Sequence, residues 1–376
     1  MSVTSISSAN RYILWGKAAG RCQYRGCNKP LFVDALTKSE FNQAYIAHIV
    51  ADVPGGHRGD AMRSPLLKDD ITNLMLMCDE HHRLIDKKDV VGHPESLLVQ
   101  MKKEHEDRIE KVASINPNMH SHIVTYKANV GLHTPVISYE SVREFLLPSH
   151  YPAQSHAIDL SLGNSPQRDK DESFWKTELE NIESQFNEQL RPKLRKGEIN
   201  HLSVFGFAPM PLLIRLGTLI NDIQHAEIHQ PVRNPQTWNL DNDATETLYN
   251  VIEPTESFPI VALNISLSAT IKNDRITSVL GSDCSIYTLS IDAPFNDFLK
   301  SKKQLQDFSI EMRKLLNYIK SKYDAHTSLH VFPSMPIAIA IEFGRVWMPK
   351  ADMPMHIYDE NTANSGFFKA IEIKNG

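Results

Sequence analysis

Two stretches of this 376-residue chain repeat one pattern, and the repeat restricts the fold more than any other feature. NHLSVFGFAPMPLLIRLGTLINDIQHAEIHQP and TSLHVFPSMPIAIAIEFGRVWMPKADMPMHIYD each read as an apolar run, F-x3-P-x7-G, an apolar helix and a second strand. Phe205, Pro209 and Gly217 match Phe332, Pro336 and Gly344 at a constant offset of 127 residues, and at that offset His229 meets His356. Self-similarity of this kind marks an internal duplication. A run that is apolar throughout, such as HLSVFGF, suits a strand buried on both faces, as in a parallel sheet with helical crossovers. Two Rossmann-like halves of α/β type are therefore expected, with a cleft at the carboxyl ends of their strands. Helix N-termini there favour anions, so paired termini suit a ligand with two or more phosphates in a ring. The expected ligand-binding residues are the two strand-to-helix turns, Phe207, Ala208, Pro209 and Ser334, Met335, Pro336. Gln230 and Arg233 after the first-half strand join them, with Trp238 and Tyr358 as base-stacking or edge-contacting aromatics. The competing reading is that PMP and SMP only start helices and the duplication is architectural.

The N-terminal part carries a second organising feature. GRCQYRGC supplies Cys22 and Cys27 as a C-x4-C pair, and Cys78 with His81 forms a C-x2-H pair. Structural zinc takes four soft or borderline ligands as two short-range pairs, and Cys3His is an accepted set. The fourth cysteine, Cys284, stands alone in a strand-like segment and reads as a small core residue. Between and beside the pairs run AYIAHIVADVPGGHRGD and ITNLMLMCDEHHRLID. They bring His48 after a short β-rich run, Asn73 about 25 residues on, and His82 at the start of a helix. A histidine with an ordinary pKa near 6.5 can deprotonate water at neutral pH. A second histidine can hold a divalent cation that binds a phosphate oxygen and stabilises the leaving oxygen. An asparagine between them can orient the first histidine or complete the metal shell. His57 and Arg58, in the Gly-rich loop, are candidates either for phosphate contact or for exposed loop positions.

AHI, then N, then HH followed by LID resembles an HNH nuclease of the zinc-supported ββα-metal kind. The resemblance implies His48 as general base, Asn73 as orienting or metal-shell residue, and His82 as ligand of the catalytic divalent metal. Cys22, Cys27, Cys78 and His81 go to zinc. Several HNH enzymes carry Asp directly before the first His; here Ala47 stands there, and Asp60, Asn73 or additional water are the candidates for the missing ligand. HLSVFGFAPMP, QTWNL, HVFPSMPIAIAIEFGR and HIYD resemble a SAVED domain, a fused pair of CARF-like units that senses cyclic oligonucleotides. The order of the two parts is similar to effectors of bacterial CBASS anti-phage immunity. This implies that a cyclic di- or trinucleotide binds the C-terminal part and drives self-association to a dimer or tetramer. The nuclease domains then degrade double-stranded DNA. A different reading makes the C-terminal part a reader of DNA or of a protein partner, in a messenger-independent restriction enzyme or toxin. A third leaves a zinc-stabilised DNA binder without catalysis.

Length and composition set the remaining bounds. The chain suffices for two or three domains at about 150 residues each. The expected boundaries are residues 1–115 for the α+β nuclease, 116–122 for a linker over INPNMHSH, and 123–376 for the sensor. The net charge is -5, but residues 1–120 hold 16 Lys and Arg against 15 Asp and Glu, leaving 24 against 30 for the rest. A single copy with so few cations makes few phosphate contacts and holds DNA weakly. Several copies acting together multiply those contacts. No apolar run reaches membrane-spanning length, and the opening MSVTSISSAN lacks the basic and apolar regions of a signal peptide. A cytoplasmic location is expected, where thiols stay reduced, with Zn2+ as structural ion and Mg2+ or another divalent cation for catalysis.

Overall fold

A computed structural model describes residues 5–116, 118–163, 165–242, 247–324, 327–361 and 366–375. The chain divides into two compact units, Met1–Pro117 and Asn118–Gly376. Among the described residues no helix is long and apolar enough to cross a membrane.

In the first unit, α1 (Ser8–Lys17) starts where the Ser7 hydroxyl accepts from the Asn10 amide and caps it. Strand β1 (Tyr45–His48) pairs antiparallel with β2 (Leu74–Met77), Tyr45 opposite Met77 and His48 opposite Leu74. The short helix α2 (Arg63–Leu67) lies between them in sequence; α3 (Asp79–Arg83) follows β2, continues through a wider turn to Lys88, and is followed by α4 (Glu95–Ala113). All four side chains of β2 are buried, in a core with Leu14, Leu31, Ile49, Ile85 and Leu98. The Cys22 segment closes the outer edge of β2. Gln23 N–H donates to the Leu76 carbonyl at 2.9 Å, and its side-chain oxygen accepts from the Leu76 amide at 2.8 Å.

The second unit contains two sheets. In the first, β3 (His120–Lys127), β4 (Tyr151–Pro152), β6 (Leu202–Phe207) and β7 (Ala226–His229) run in the order β4-β3-β6-β7, with β5 (Ile158–Asp159) also on β3, all parallel. Strand β3 begins inside the stretch expected to be linker. It is buried on both faces rather than alternating, because it pairs on both edges and helices cover the sheet. Helices α5 (Tyr139–Val142), α6 (Glu172–Gln185), α7 (Arg191–Arg195) and α8 (Met210–Ile220) belong to this half, and a small hairpin, β8 (Val232–Arg233) with β9 (Gln236–Thr237), follows it. The second sheet holds β10 (Asn250–Ile252), β11 (Ile260–Ser266), β12 (Cys284–Ser290), β13 (Leu329–Ser334), β14 (Met355–Asn361) and β15 (Gly366–Ile373). Their order is β10-β12-β11-β13-β14-β15; the four central strands are parallel and both edges antiparallel. Its helices are α9 (Asn273–Leu280), α10 (Lys302–Lys322) and α11 (Ile337–Val346).

The duplicated motif becomes β6-α8-β7 and β13-α11-β14. Its glycines have a steric reason. Helices α8 and α11 cross so closely that a Cβ on Gly217 would lie 1.9 Å from the Ile341 carbonyl oxygen, and one on Gly344 2.0 Å from that of Ile214. The two sheets are thereby joined through one helix pair, Gly217 against Ile341 mirroring Gly344 against Ile214. The match of His229 to His356 does not survive. Strand β6 pairs Leu202 with Ala226 and Phe205 with His229, whereas β13 pairs Leu329 with Met355 and His330 with His356. Continuing the second register puts Tyr358 across from Phe332, and the rings stack at 4.3 Å, as Phe205 and His229 stack at 4.1 Å. The second connection is two residues longer, so the structural counterpart of His229 is Tyr358.

Candidate functional site

The antiparallel pair β1–β2 and the helix that follows bring both sets of chemistry in the first unit together. Cys22 and Cys27 come from the turn before β1, Cys78 caps the start of α3, and His81 sits one turn into it. The four ligand atoms lie within 4.8 Å of one another, the span of donors around a single tetrahedral ion. His81 Nδ1 is the nitrogen that faces the thiols, 3.1 Å from Cys78 Sγ and 3.8 Å from Cys22 Sγ. Burial pushes the Cys22 thiol up to about 12, since a thiolate in an apolar pocket lacks compensation. A divalent cation would supply that compensation, and the donor set fits zinc. Tyr24 stacks on His81 at 4.0 Å and its hydroxyl meets His93 Nε2 at 2.9 Å, fixing the ring from behind.

His48 ends β1 and is buried. Its Nε2 lies 2.9 Å from the Lys68 carbonyl oxygen, an atom that only accepts, so Nε2 carries the proton and Nδ1 keeps its lone pair. Asn73 does not face solvent. Its oxygen accepts from the Val50 amide at 2.7 Å, and its NH2 donates to the carbonyls of Val50 at 2.8 Å and Leu67 at 3.1 Å. It thus ties the chain just after His48 to the residue before Lys68, which holds the His48 ring. Asp60 is engaged through one oxygen: its Oδ1 accepts from the Met62 and Arg63 amides at the start of α2, which keeps it below the usual carboxylate range. Arg58 is neither an exposed loop residue nor a free phosphate contact. It adopts a left-handed backbone (φ +58°) and donates to the Ile49 carbonyl at 2.7 Å, the Ile85 carbonyl at 2.9 Å and Asp86 Oδ1 at 2.9 Å. It latches the end of β1 to the segment that follows α3.

His82, the next residue after His81, points elsewhere, as a turn of about 100° per residue requires. Its ring stacks on Tyr45 at 5.1 Å, and Nε2 lies 3.3 Å from Asp86 Oδ2, one turn further along the chain. Desolvation holds His82 below the ordinary imidazole value, so its neutral form dominates at neutral pH. Asp86 was absent from the residues singled out from sequence, and Arg58 stood there as a phosphate contact or loop position, not as a latch. The i, i+4 spacing of His82 and Asp86 was the signal available for the first; nothing in GGHRGD signals the second.

In the second unit the carboxyl ends of β6 and β13 and the starts of α8 and α11 open into a cavity of about 800 Å³. Of the residues expected to bind ligand, Phe207, Gln230, Arg233, Trp238, Ser334, Met335 and Pro336 line it. Trp238 presents its ring from the end of the β8–β9 hairpin, packed edge-on against Phe205 at 5.4 Å, while its carbonyl lies 3.2 Å from His229 Nδ1. Ala208 is in the core and Pro209 caps α8; neither is part of the wall. Tyr358 is also not there. It is buried against Phe332, with its hydroxyl 2.9 Å from His330 Nδ1, because the β13–β14 register turns it into the sheet. The two helix termini offer fewer free amides than their sequences suggest. Pro211 has none, and the Ala338 amide donates to the Gln230 side chain at 2.9 Å. Arg233 is the wall's cation and Asp297 its anion, with His133, Val136 and Ile137 completing one side. That segment, between β3 and α5, lacks any repeat or motif.

Residues 182–373 match the family model described as SMODS-associated and fused to various effectors sensor domain, SAVED. Among curated proteins none matches. Similar solved structures include an Acinetobacter baumannii Cap4 SAVED/CARF-domain containing receptor with the cyclic trinucleotide 2'3'3'-cAAA, at 14% identity and a TM-score of 0.45 over 78% of this chain and 66% of that one. A Moraxella osloensis Cap4 SAVED/CARF-domain containing receptor is similar at 13% identity and a TM-score of 0.40, over 77% of this chain and 63% of that one. The chain therefore spans less than two thirds of the length of these solved relatives. The duplicated strand-helix-strand architecture and the match across both halves together make this chain a member of the SAVED family.

Proposed function

We propose that the protein is a messenger-gated DNA endonuclease of bacterial CBASS defence, in which a cyclic oligonucleotide bound by the second unit releases phosphodiester hydrolysis in the first. The observation that carries this reading is the cavity at the carboxyl ends of β6 and β13, in a SAVED sensor. Its volume suits a cyclic di- or trinucleotide, Trp238 offers a face for a base, and Arg233 offers a guanidinium for phosphate. Support for the nuclease part is the arrangement around β1, β2 and α3, which resembles the ββα-metal motif. His48, its Nε2 proton held by the Lys68 carbonyl, has Nδ1 ready to take a proton from water. Asn73 keeps that geometry by clamping the backbone on both sides. His82 is the residue that would hold a divalent cation, Mg2+ by default, which when bound neutralises charge at the phosphate and the leaving oxygen. The Cys22, Cys27, Cys78 and His81 set would hold zinc and brace the small unit. Double-stranded DNA is the substrate, and ligand-driven self-association compensates for the few cations of each copy.

Digestion of supercoiled plasmid with Mg2+, with and without a panel of cyclic di- and trinucleotides, tests the reading beside a His48→Ala variant. Cleavage with one messenger class and none in the variant is expected. Cleavage without any messenger would overturn the gating and favour a restriction enzyme or toxin.

A further inference from the structure

We infer that Asp86 is the second protein ligand of the catalytic divalent cation, taking the place that Ala47 leaves without a carboxylate. This rests on the nuclease reading of the first unit. Two donors bound to one ion at about 2.1–2.2 Å lie about 3 Å apart when adjacent in an octahedron and about 3.5 Å in a tetrahedron. His82 Nε2 and Asp86 Oδ2 are 3.3 Å apart, within that range. Their spacing of four residues makes this separation a property of the helical backbone rather than of a loop.

The carboxylate is also aimed. Arg58 donates to Oδ1 at 2.9 Å and is itself held by the Ile49 and Ile85 carbonyls, so Oδ2 is the oxygen left facing His82. One nitrogen and one oxygen remain for an ion, with waters and substrate phosphate filling the other positions, as Mg2+ prefers. Both side chains keep roughly a quarter of their surface in solvent, 26% and 30%, so an ion reaches them without any opening of the fold. The two side chains offered for the missing ligand are engaged elsewhere: Asp60 Oδ1 accepts from the Met62 and Arg63 amides at the start of α2, and Asn73 is committed to backbone. Arg58 also joins the ion site to the base: the same guanidinium grips the residue after His48 and the carboxylate beside His82.

The test uses the full-length, zinc-loaded protein and Mn2+ as probe, with affinity read from the electron paramagnetic resonance signal of free Mn2+ and zinc content measured in parallel. Asp86→Asn keeps the shape and the polar contact to His82 but is a poor ligand, and it is expected to weaken Mn2+ binding at least tenfold with zinc and melting temperature unchanged. Because a merely orienting carboxylate can also matter, Asp86→Cys provides an independent readout. A ligand at this position predicts a switch of preference from Mn2+ to Cd2+, which a positioning role does not produce. Unchanged Mn2+ affinity in Asp86→Asn, or no Cd2+ preference in Asp86→Cys, overturns the assignment. His82→Ala separates the two levels: if it abolishes Mn2+ binding while Asp86→Asn does not, only Asp86 is wrongly assigned. If the wild type and all variants bind no Mn2+, the metal-dependent nuclease reading falls with it.

Discussion

The two units hold their chemistry-bearing side chains in place by different means. The first has one two-stranded sheet and a modest core, and its functional positions are tied down by point attachments: the Cys/His cluster, the Asn73 clamp and the Arg58 latch. The second has two broad sheets, one parallel and one with a parallel centre, around one large apolar core, and its cavity is shaped by where strands end and where two helices meet at Gly217 and Gly344. Small folds need such cross-links because they bury too little surface to be stable otherwise. Large ones can position a ligand wall through packing alone. The difference teaches where each unit is vulnerable: to loss of single ligands in the first, to steric intrusion in the second.

The sharpest way to break the contrast is to remove the cross-link. Structural zinc contributes roughly 10–16 kcal/mol to folding of small zinc domains, as much as the whole stability of many domains. With zinc held by the cluster as proposed, Cys78→Ser is expected to lose both the metal and the cooperative melting of the first unit, while the second unit melts as before. Calorimetry with metal analysis reads both. A single unaltered transition would contradict the division of labour. Next in size is the helix crossing. Gly217→Ala places a methyl where the Ile341 carbonyl stands, and with no room to yield it should lower the stability of the second unit by about 3 kcal/mol, leaving the zinc content untouched.

A smaller effect sharpens the comparison through pH. Glu178 lies in the second unit's core, 3.5 Å from the Tyr126 hydroxyl, and burial raises its carboxyl from 4.5 to about 7. The folded state therefore keeps a proton that the unfolded chain releases. Stability of this unit falls as pH rises from 4.5 to about 7 and then levels off. Glu178→Gln should flatten that slope; an unchanged slope in denaturant melts across pH would show that Glu178 is not its source.

Much of this was legible because the relevant signals are periodic or paired. The offset of Phe205, Pro209 and Gly217 to Phe332, Pro336 and Gly344 revealed the duplicated halves, and the glycine of that motif proved to be the helix contact. The two short-range Cys and Cys/His pairs met in one cluster. What failed did so for identifiable reasons. A constant offset cannot register a connection two residues longer, so it matched His229 to His356 instead of Tyr358, and the aromatic character that put Tyr358 among the expected ligand contacts says nothing of the sheet that buries it. Strand β3 lies partly in the expected linker, and nothing in its local sequence shows that it has neighbours on both edges. Arg58 takes its role from a left-handed turn and three distant carbonyl and carboxylate oxygens, none of which leaves a trace in local sequence. Asp86 was within reach, four residues from His82, but the side-chain pairing that gives it meaning is tertiary.

The central claim is that the cavity of the second unit governs cleavage by the first, and Trp238→Ala tests it most directly. Trp238 stands in the cavity wall, far in sequence from every residue of the nuclease motif. Loss of a base-stacking face costs about 1–3 kcal/mol, so the messenger concentration for half-maximal plasmid cleavage should rise roughly 5- to 150-fold, with the same plateau rate at saturation. An unshifted midpoint, or a lowered plateau that saturating messenger does not restore, would contradict it.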